Sequence, residues 1–329
     1  MNNEIILYGG TYLNKGGAAI AQGTFEVLKK LNIDFRYIVD PEPPLETLYK
    51  EFDLKTIYRY SDELSSKDIP SISPLYTLKP FLKCIINSHS KSIKELKDIP
   101  IWHIGDSPFS DQRSYLSIVG QVVALNSLSS ATGGKVIIGG ISLDYPRTKI
   151  GELALKNMLN DKVDYSFIRG KYTHKNYKSL GVPNEKMSII CDFAFHLDKK
   201  DSEKSKLISN SIRESSKPLI GLILRDYSSG QNREKYIRNI KKLTSILKDK
   251  GFDVYFIPTS YAYLIPENDQ IFVEKILLPN PERVINIKDL SPGEIISVFS
   301  NFDIIISARL HGAVYGTLAH VPTIHLYEG

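Results

Sequence analysis

Short apolar runs alternate with longer stretches of helical period along most of this chain. EIILY, at 4–8, predicts a buried strand. A glycine-rich loop follows. AAIAQGTFEVLKKL, at 18–31, then spaces its apolar residues as an amphipathic helix, and DFRYIVD, at 34–40, predicts a second strand. Strand, loop, helix and strand together make a βαβ unit. Residues 41–98 are expected to form helices and loops. IPIWHIGD predicts a strand at 99–106, SIVGQVVALNSLSSAT a helix, and GGKVIIGGISL a strand at about 135–140. VDYSFIRG and KMSIICDFAF predict two further short strands, with a helix near 171–180 between them.

Between His196 and Pro218 the pattern breaks into DKKDSEKSKLISNSIRESSKP, dense in Lys, Ser and acids. This segment is expected to be a linker carrying one exposed helix. The alternation then resumes. PLIGLILR is a strand ending at Arg225, and NREKYIRNIKKLTSILKDKG a helix closed by Gly251. FDVYFIP is a strand and DQIFVEKIL a helix. LSPGEIISVFSN is a helix with Ser291 as N-cap and Pro292 in its first turn. FDIIISA, RLHGAVYGTLAH and VPTIHLY read as strand, helix and last strand. The expected organisation is an α/β chain of GT-B-like type, with two Rossmann-like parallel-sheet domains facing a central cleft. Residues 1–200 form an N-terminal acceptor-side domain, 201–217 the linker, and 218–329 a C-terminal donor-side domain.

Composition narrows the function classes. The hydrophobic fraction of 42% and charged fraction of 24% are those of a globular protein. The net charge of +5 is diffuse, which argues against nucleic acid as a partner and suits an anionic small substrate. Only two cysteines occur, Cys84 and Cys191, so neither a disulfide framework nor a CxxC metal site is expected, and a reducing, cytoplasmic compartment fits. MNNEIILYGG has no signal-peptide pattern, and no apolar run is long enough to span a membrane.

Candidate chemistry lies in four loops, because open parallel sheets bind ligands beyond the carboxyl ends of their strands. GGTYLNKGGAAI carries Asn14, Lys15, Gly16 and Gly17 at a helix start, where backbone N–H groups can meet an anion. It is neither a GxGxxG nor a P-loop sequence, and tight helix–strand packing would also require its glycines. LRDYSSGQN places Arg225 just past a buried strand. A guanidinium there suits a carboxylate or phosphate, the alternative being an ion pair with Asp226 or another acid. SARLHG puts Arg309 and His311 on the first turn of a helix, joining fixed charge to a group that exchanges protons near neutrality. IGDSPFSDQ offers Asp106, either as a ligand of a sugar hydroxyl or as a helix cap. His103 is expected to be a satisfied core residue. His196, His320 and His325 lack metal-ligand spacing.

GGTYLNKGGAAI, SFIRG with CDFAFHL, GLILR and SARLHGAVYGTLAHVPTIHLY, in this order over nearly the whole chain, resemble the polysaccharide pyruvyl transferase family. The S-x-R-L-H-G segment with its small-residue helix and Pro-led strand is the most specific part. The resemblance implies a GT-B-like fold and transfer of a pyruvyl unit from phosphoenolpyruvate (PEP) to a sugar or oligosaccharide acceptor as a ketal. It implies that Arg225 and Arg309 bind PEP and that His311 is catalytic, with no metal and no cofactor besides the donor. A lipid-linked acceptor and a homo-oligomer are both compatible with it. Two features depart from the family. Arg169 is followed by Gly170 where the family often has Arg-Asp. The sequence also ends at Tyr327-Glu328-Gly329, without the family's further C-terminal helix. The alternatives are a nucleotide-sugar glycosyltransferase, with Glu267 or Asp269 on a ribose, and a catalytically silent sugar-binding protein.

Overall fold

The computed structural model describes residues 4–10, 12–40, 52, 55–59, 96–105, 109, 115–226, 230–261, 268–277 and 283–326. The chain folds into two compact units, Met1–Thr11 with Ile20–His196, and Tyr12–Ala19 with Leu197–Gly329. Most of the 41–98 segment, Asp106 and Glu267 lie outside the described residues.

The first unit holds a seven-stranded, all-parallel sheet. Its strands are β1 (Glu4–Tyr8), β2 (Asp34–Asp40), β3 (Lys55–Arg59), β4 (Ile101–Ile104), β5 (Val136–Ile141), β6 (Val163–Arg169) and β7 (Met187–Ile190). They run in the order β3-β2-β1-β4-β5-β6-β7. Helices α1 (Lys15–Lys30), α2 (Tyr115–Thr132), α3 (Lys149–Asn157) and α4 (Gly170–Ser179) follow β1, β4, β5 and β6. Central strands buried on both faces read as continuous apolar runs, and all four residues of β4 are buried. Ile6, Ile101, Ile118, Leu125, Ile138 and Leu155 form part of one core.

Three local features differ from expectation. β3 is a strand within a segment expected to hold only helices and loops. Helix α3 is an element not named among the expected ones, although Ile150, Leu153 and Ala154 recur at helical spacing. CDFAF does not extend β7. Asp192 Oδ1 accepts from the Ala194 amide at 2.9 Å and its carbonyl accepts from Phe195 N at 3.0 Å, turning Phe193–His196 into a 3-10 helix. Beside the departure at Gly170, Arg169 forms its ion pair with the Asp192 carboxylate. Gly170 itself sits at φ +74°, a conformation that an aspartate would adopt only under strain.

The second unit holds a four-stranded, all-parallel sheet of β8 (Leu219–Ile223), β9 (Asp253–Phe256), β10 (Ile304–Ser307) and β11 (Thr323–His325), ordered β11-β10-β8-β9. Its helices are α5 (Glu203–Arg213), α6 (Gly230–Asp249), α7 (Asp269–Leu277), α8 (Pro292–Phe299) and α9 (Leu310–Leu318). Helix α8 starts where the sequence predicts. Ser291 caps it, and Glu294 accepts from the Ser291 amide at 2.6 Å, completing a capping box. Strand order reverses between β8 and β10, the position at which α/β sheets bind ligands.

Chain order groups residues 12–19 with the first half, but their hydrogen bonds are to the second unit. Asn14 bridges Ser260, Tyr261 N donates to Leu13 O at 2.9 Å, and Lys15 N to Thr259 O at 2.8 Å. The glycine-rich loop is thereby built onto the exit of β9.

Candidate active site

Ser307 shapes the turn from which the site grows. Its buried hydroxyl donates to Arg309 O at 2.7 Å and accepts from Arg309 N at 3.1 Å, so the chain bends directly from β10 into α9. Gly312 lies so close that a Cβ there would collide with Ser307 Oγ. The small residues after Arg309 therefore set how tightly α9 seats on its strand. Arg309 occupies the N-cap position, and His311 lies in the first turn of α9.

Arg309 is anchored by Asp269. The carboxylate accepts from Arg309 Nε at 3.2 Å and from Nη2 on its other oxygen, and it also accepts from Thr259 N, Thr259 Oγ1 and Ser260 N at 3.0–3.2 Å. Asp269 is 1% exposed, and burial pushes its carboxyl above the ordinary range while Arg309 and Thr259 pull it down. Asn268 Oδ1 accepts from Ile271 N at 3.1 Å and so takes the capping role at α7, leaving Asp269 to the arginine. Sequence reasoning singles out Asp269 only as a candidate ribose ligand. The pairing spans 40 residues, and no local pattern signals it.

The glycine-rich loop meets α9. Tyr315, buried one turn beyond His311, donates its hydroxyl to Lys15 O at 2.7 Å. A Cβ at Gly16 would lie 2.5 Å from His311 Nδ1 and 2.7 Å from its Cγ, so only glycine lets the ring lie there. Asn14 Oδ1 accepts from Gly16 N at 3.0 Å and caps α1. Gly17 is buried in the same turn. Lys15 is 1% exposed. Its ammonium donates to Lys288 O and, at 3.2 Å, to Leu290 O. Burial lowers its pKa to about 8, against the attraction of Asp289 and Glu294. Lys15 thus ties the loop to the segment before α8, and its ammonium and the Lys15 and Gly16 amides all have protein partners.

Arg225 stands at the end of the neighbouring strand. Ile223 pairs with Ser307, and Ala308 N donates to Ile223 O at 2.8 Å. Arg225 and Arg309 therefore each lie two residues past paired positions, on strands roughly 4.8 Å apart. Arg225 is exposed. Asp226 is engaged by Arg233 of α6, which donates to it from Nε at 2.7 Å and Nη2 at 3.0 Å. The structure thus gathers Asn14, Lys15, Gly16, Gly17, Arg309 and His311 in the second unit, with Arg225 on the adjacent strand exit. In the first unit His103 is a core residue, as expected, between the rings of Tyr8 and Phe109. It is not fully satisfied, because its Nδ1 has no hydrogen-bond partner among the described residues, and burial lowers its pKa to about 4.

A family model described as polysaccharide pyruvyl transferase matches residues 14–329. No curated protein matches the chain significantly. Similar solved structures include a UDP-GlcNAc 2-epimerase from Methanocaldococcus jannaschii, 15% identical with a TM-score of 0.59, covering 99% of this chain and 84% of that one. HepE from Anabaena, in complex with UDP and glucose, is 12% identical with a TM-score of 0.55 over 98% and 80% of the two chains. ADP-heptose LPS heptosyltransferase II from E. coli is 12% identical with a TM-score of 0.51 over 98% and 84%. At these identities the likeness is one of fold, and it identifies the two parallel sheets as GT-B-like.

Proposed function

The chain belongs to the polysaccharide pyruvyl transferase family, and from that premise we propose that it moves the pyruvyl unit of PEP onto a sugar of a cell-surface polysaccharide or its precursor, releasing phosphate. The observation that carries this reading is the placement of Arg225 and Arg309 at equivalent exits of two adjacent strands, where the strand order of the second sheet reverses, with His311 in the helical turn behind Arg309. PEP presents a carboxylate and a phosphate, and two guanidinium groups on neighbouring strands match a ligand with two anionic groups. In the reaction His311 protonates the PEP methylene carbon and leaves an oxocarbenium-like centre at C2. One acceptor hydroxyl attacks C2, a second displaces phosphate, and the two hydroxyl protons end on the new methyl group and the departing phosphate. Charge and proton transfer by these side chains are enough for this chemistry, with PEP as the only donor and the cytoplasm as its source.

The glycosyltransferase alternative would set a carboxylate, Glu267 or Asp269, on a ribose, and Glu267 lies outside the described residues. Asp269 is buried and already accepts from Arg309, Thr259 and Ser260, which counts against that role. PEP is therefore expected to raise the melting temperature, whereas UDP- and GDP-sugars leave it unchanged. A shift with a nucleotide sugar and none with PEP would overturn the donor assignment. Arg225→Lys keeps the charge and loses the fork, so PEP affinity should fall by about tenfold with the melting temperature unchanged. Normal PEP titration of this exposed-site variant would remove Arg225 from the donor set.

A further inference from the structure

The outer helices of the first unit carry a surface that the transferase reading does not use. Right-handed crossovers from β4 to β5, β5 to β6 and β6 to β7 put α2, α3 and α4 on one face of the sheet. The segment leading into α3 is fastened to α4, because Thr173 Oγ1 accepts from Leu143 N at 3.2 Å and Asn176 Nδ2 donates to Leu143 O at 2.7 Å. On this rigid mount, Ile150 and Leu153 of α3 are each 61% exposed, one helical turn apart, and Tyr145 lies in the segment just before them. Helix α4, GKYTHKNYKS, contains no acid. Its Lys171, Lys175 and Lys178 are exposed at i, i+4 and i+7, and Tyr172 beside them is 63% exposed. At the far end Lys156 of α3 approaches Gly181, just past α4. Glu152, the acid within α3, is hydrogen-bonded by the Tyr145 hydroxyl, and Asp144 is exposed beside Tyr145.

We infer that this face docks on an anionic lipid surface, with Ile150 and Leu153 inserted at the headgroup–acyl boundary and Lys171, Lys175 and Lys178 on the lipid phosphates. Branched aliphatic tips gain nothing from a hydrated polyanion, whereas an interface offers them hydrocarbon beneath a layer of negative charge. Lysine stems lie along apolar surface and deliver their charge to the headgroup level. The contact is interfacial, since no helix among the described residues is long and apolar enough to cross a membrane. Such docking would hold the enzyme where a lipid-linked sugar is displayed.

The test is co-sedimentation of the full chain with phosphatidylcholine vesicles, with and without phosphatidylglycerol, at low and high salt. The protein is expected to sediment with the anionic vesicles alone and to be released by salt. Changing Lys171, Lys175 and Lys178 to Glu should weaken partitioning by roughly a hundredfold, given the contribution of each near-surface lysine. Ile150→Ser with Leu153→Ser should weaken it by at least about tenfold, since two aliphatic side chains leave the interface. All these side chains are exposed, so the melting temperature should not move. A control exchange of exposed Lys241, Lys242 and Lys248 on α6 for Glu should leave partitioning unchanged. No vesicle binding, an equal loss in the control, or indifference to the Ile150/Leu153 change would each overturn the proposal. So would capture of the protein by a soluble acidic polysaccharide in place of vesicles.

Discussion

His311→Gln is expected to lower turnover by roughly a hundredfold or more while PEP affinity stays near that of the unaltered protein. Glutamine can hydrogen-bond from the same turn of α9 but cannot exchange a proton at neutral pH. It therefore separates positioning from proton transfer. The position is held from two sides. Ser307 fixes the bend into α9, and Tyr315, one turn on, is hydrogen-bonded to Lys15 O, which brings Gly16 under the imidazole. Single-turnover release of phosphate from PEP in the presence of a responsive acceptor, measured beside PEP binding, checks the prediction. Near-normal turnover in the glutamine variant would reduce His311 to a positioning role. Lost affinity with an intact chemical step would move it to the donor-binding residues.

What can be read from the sequence follows local signals. Ser291 and Pro292 announce α8 because an N-cap and an N-terminal proline act within the first turn. Arg309 and His311 stand out because a strand of four residues gives way at once to a small-residue helix. What escapes a sequence reading depends on distant partners or on atypical surfaces. Helix α3 has a helical period in its sequence, Ile150, Leu153 and Ala154 at i, i+3 and i+4, but the period marks the wrong face, because Ile150 and Leu153 point outward while Gly151 and Leu155 are buried. The strand KTIYR at β3 is short, polar at both ends and at the sheet edge, so it carries no continuous apolar run. Lys15, in a glycine-rich loop, reads as a ligand for an anion. Its ammonium instead meets carbonyls more than 270 residues away, an arrangement that only the folded chain reveals. Asp269 reads as a candidate ribose ligand, yet in the folded chain it belongs to Arg309.

That last pairing has a large expected consequence. Asp269→Asn preserves shape and removes one charge. The amide has a single acceptor oxygen. If that oxygen serves the Thr259 and Ser260 donors, the –NH2 group faces Arg309 Nη2, donor against donor. Burial already disfavours the ionised carboxyl, so the intact pair need add little net stability, but breaking it leaves a largely buried guanidinium without its counter-charge. Removing one partner of a buried pair costs about 3–5 kcal/mol. The lower end applies here because the Arg309 side chain is 16% exposed and can recruit water. At about 2.1 cal/mol/K of unfolding entropy per residue, about 3 kcal/mol corresponds to a fall of roughly 4 °C in melting temperature for a 329-residue chain unfolding as one. Asp269 touches neither donor nor acceptor in the proposed reaction, so it acts as a positioning residue. Its loss should raise the KM for PEP by about tenfold or more through a misplaced Arg309, with a smaller change in kcat. Measuring KM and kcat below the lowered melting transition separates this from simple unfolding. The same variant with an unchanged melting temperature and an unchanged KM for PEP would mean that Arg309 does not depend on Asp269. A KM restored by the further change Arg309→Lys would show that the guanidinium fork is not what binds the donor.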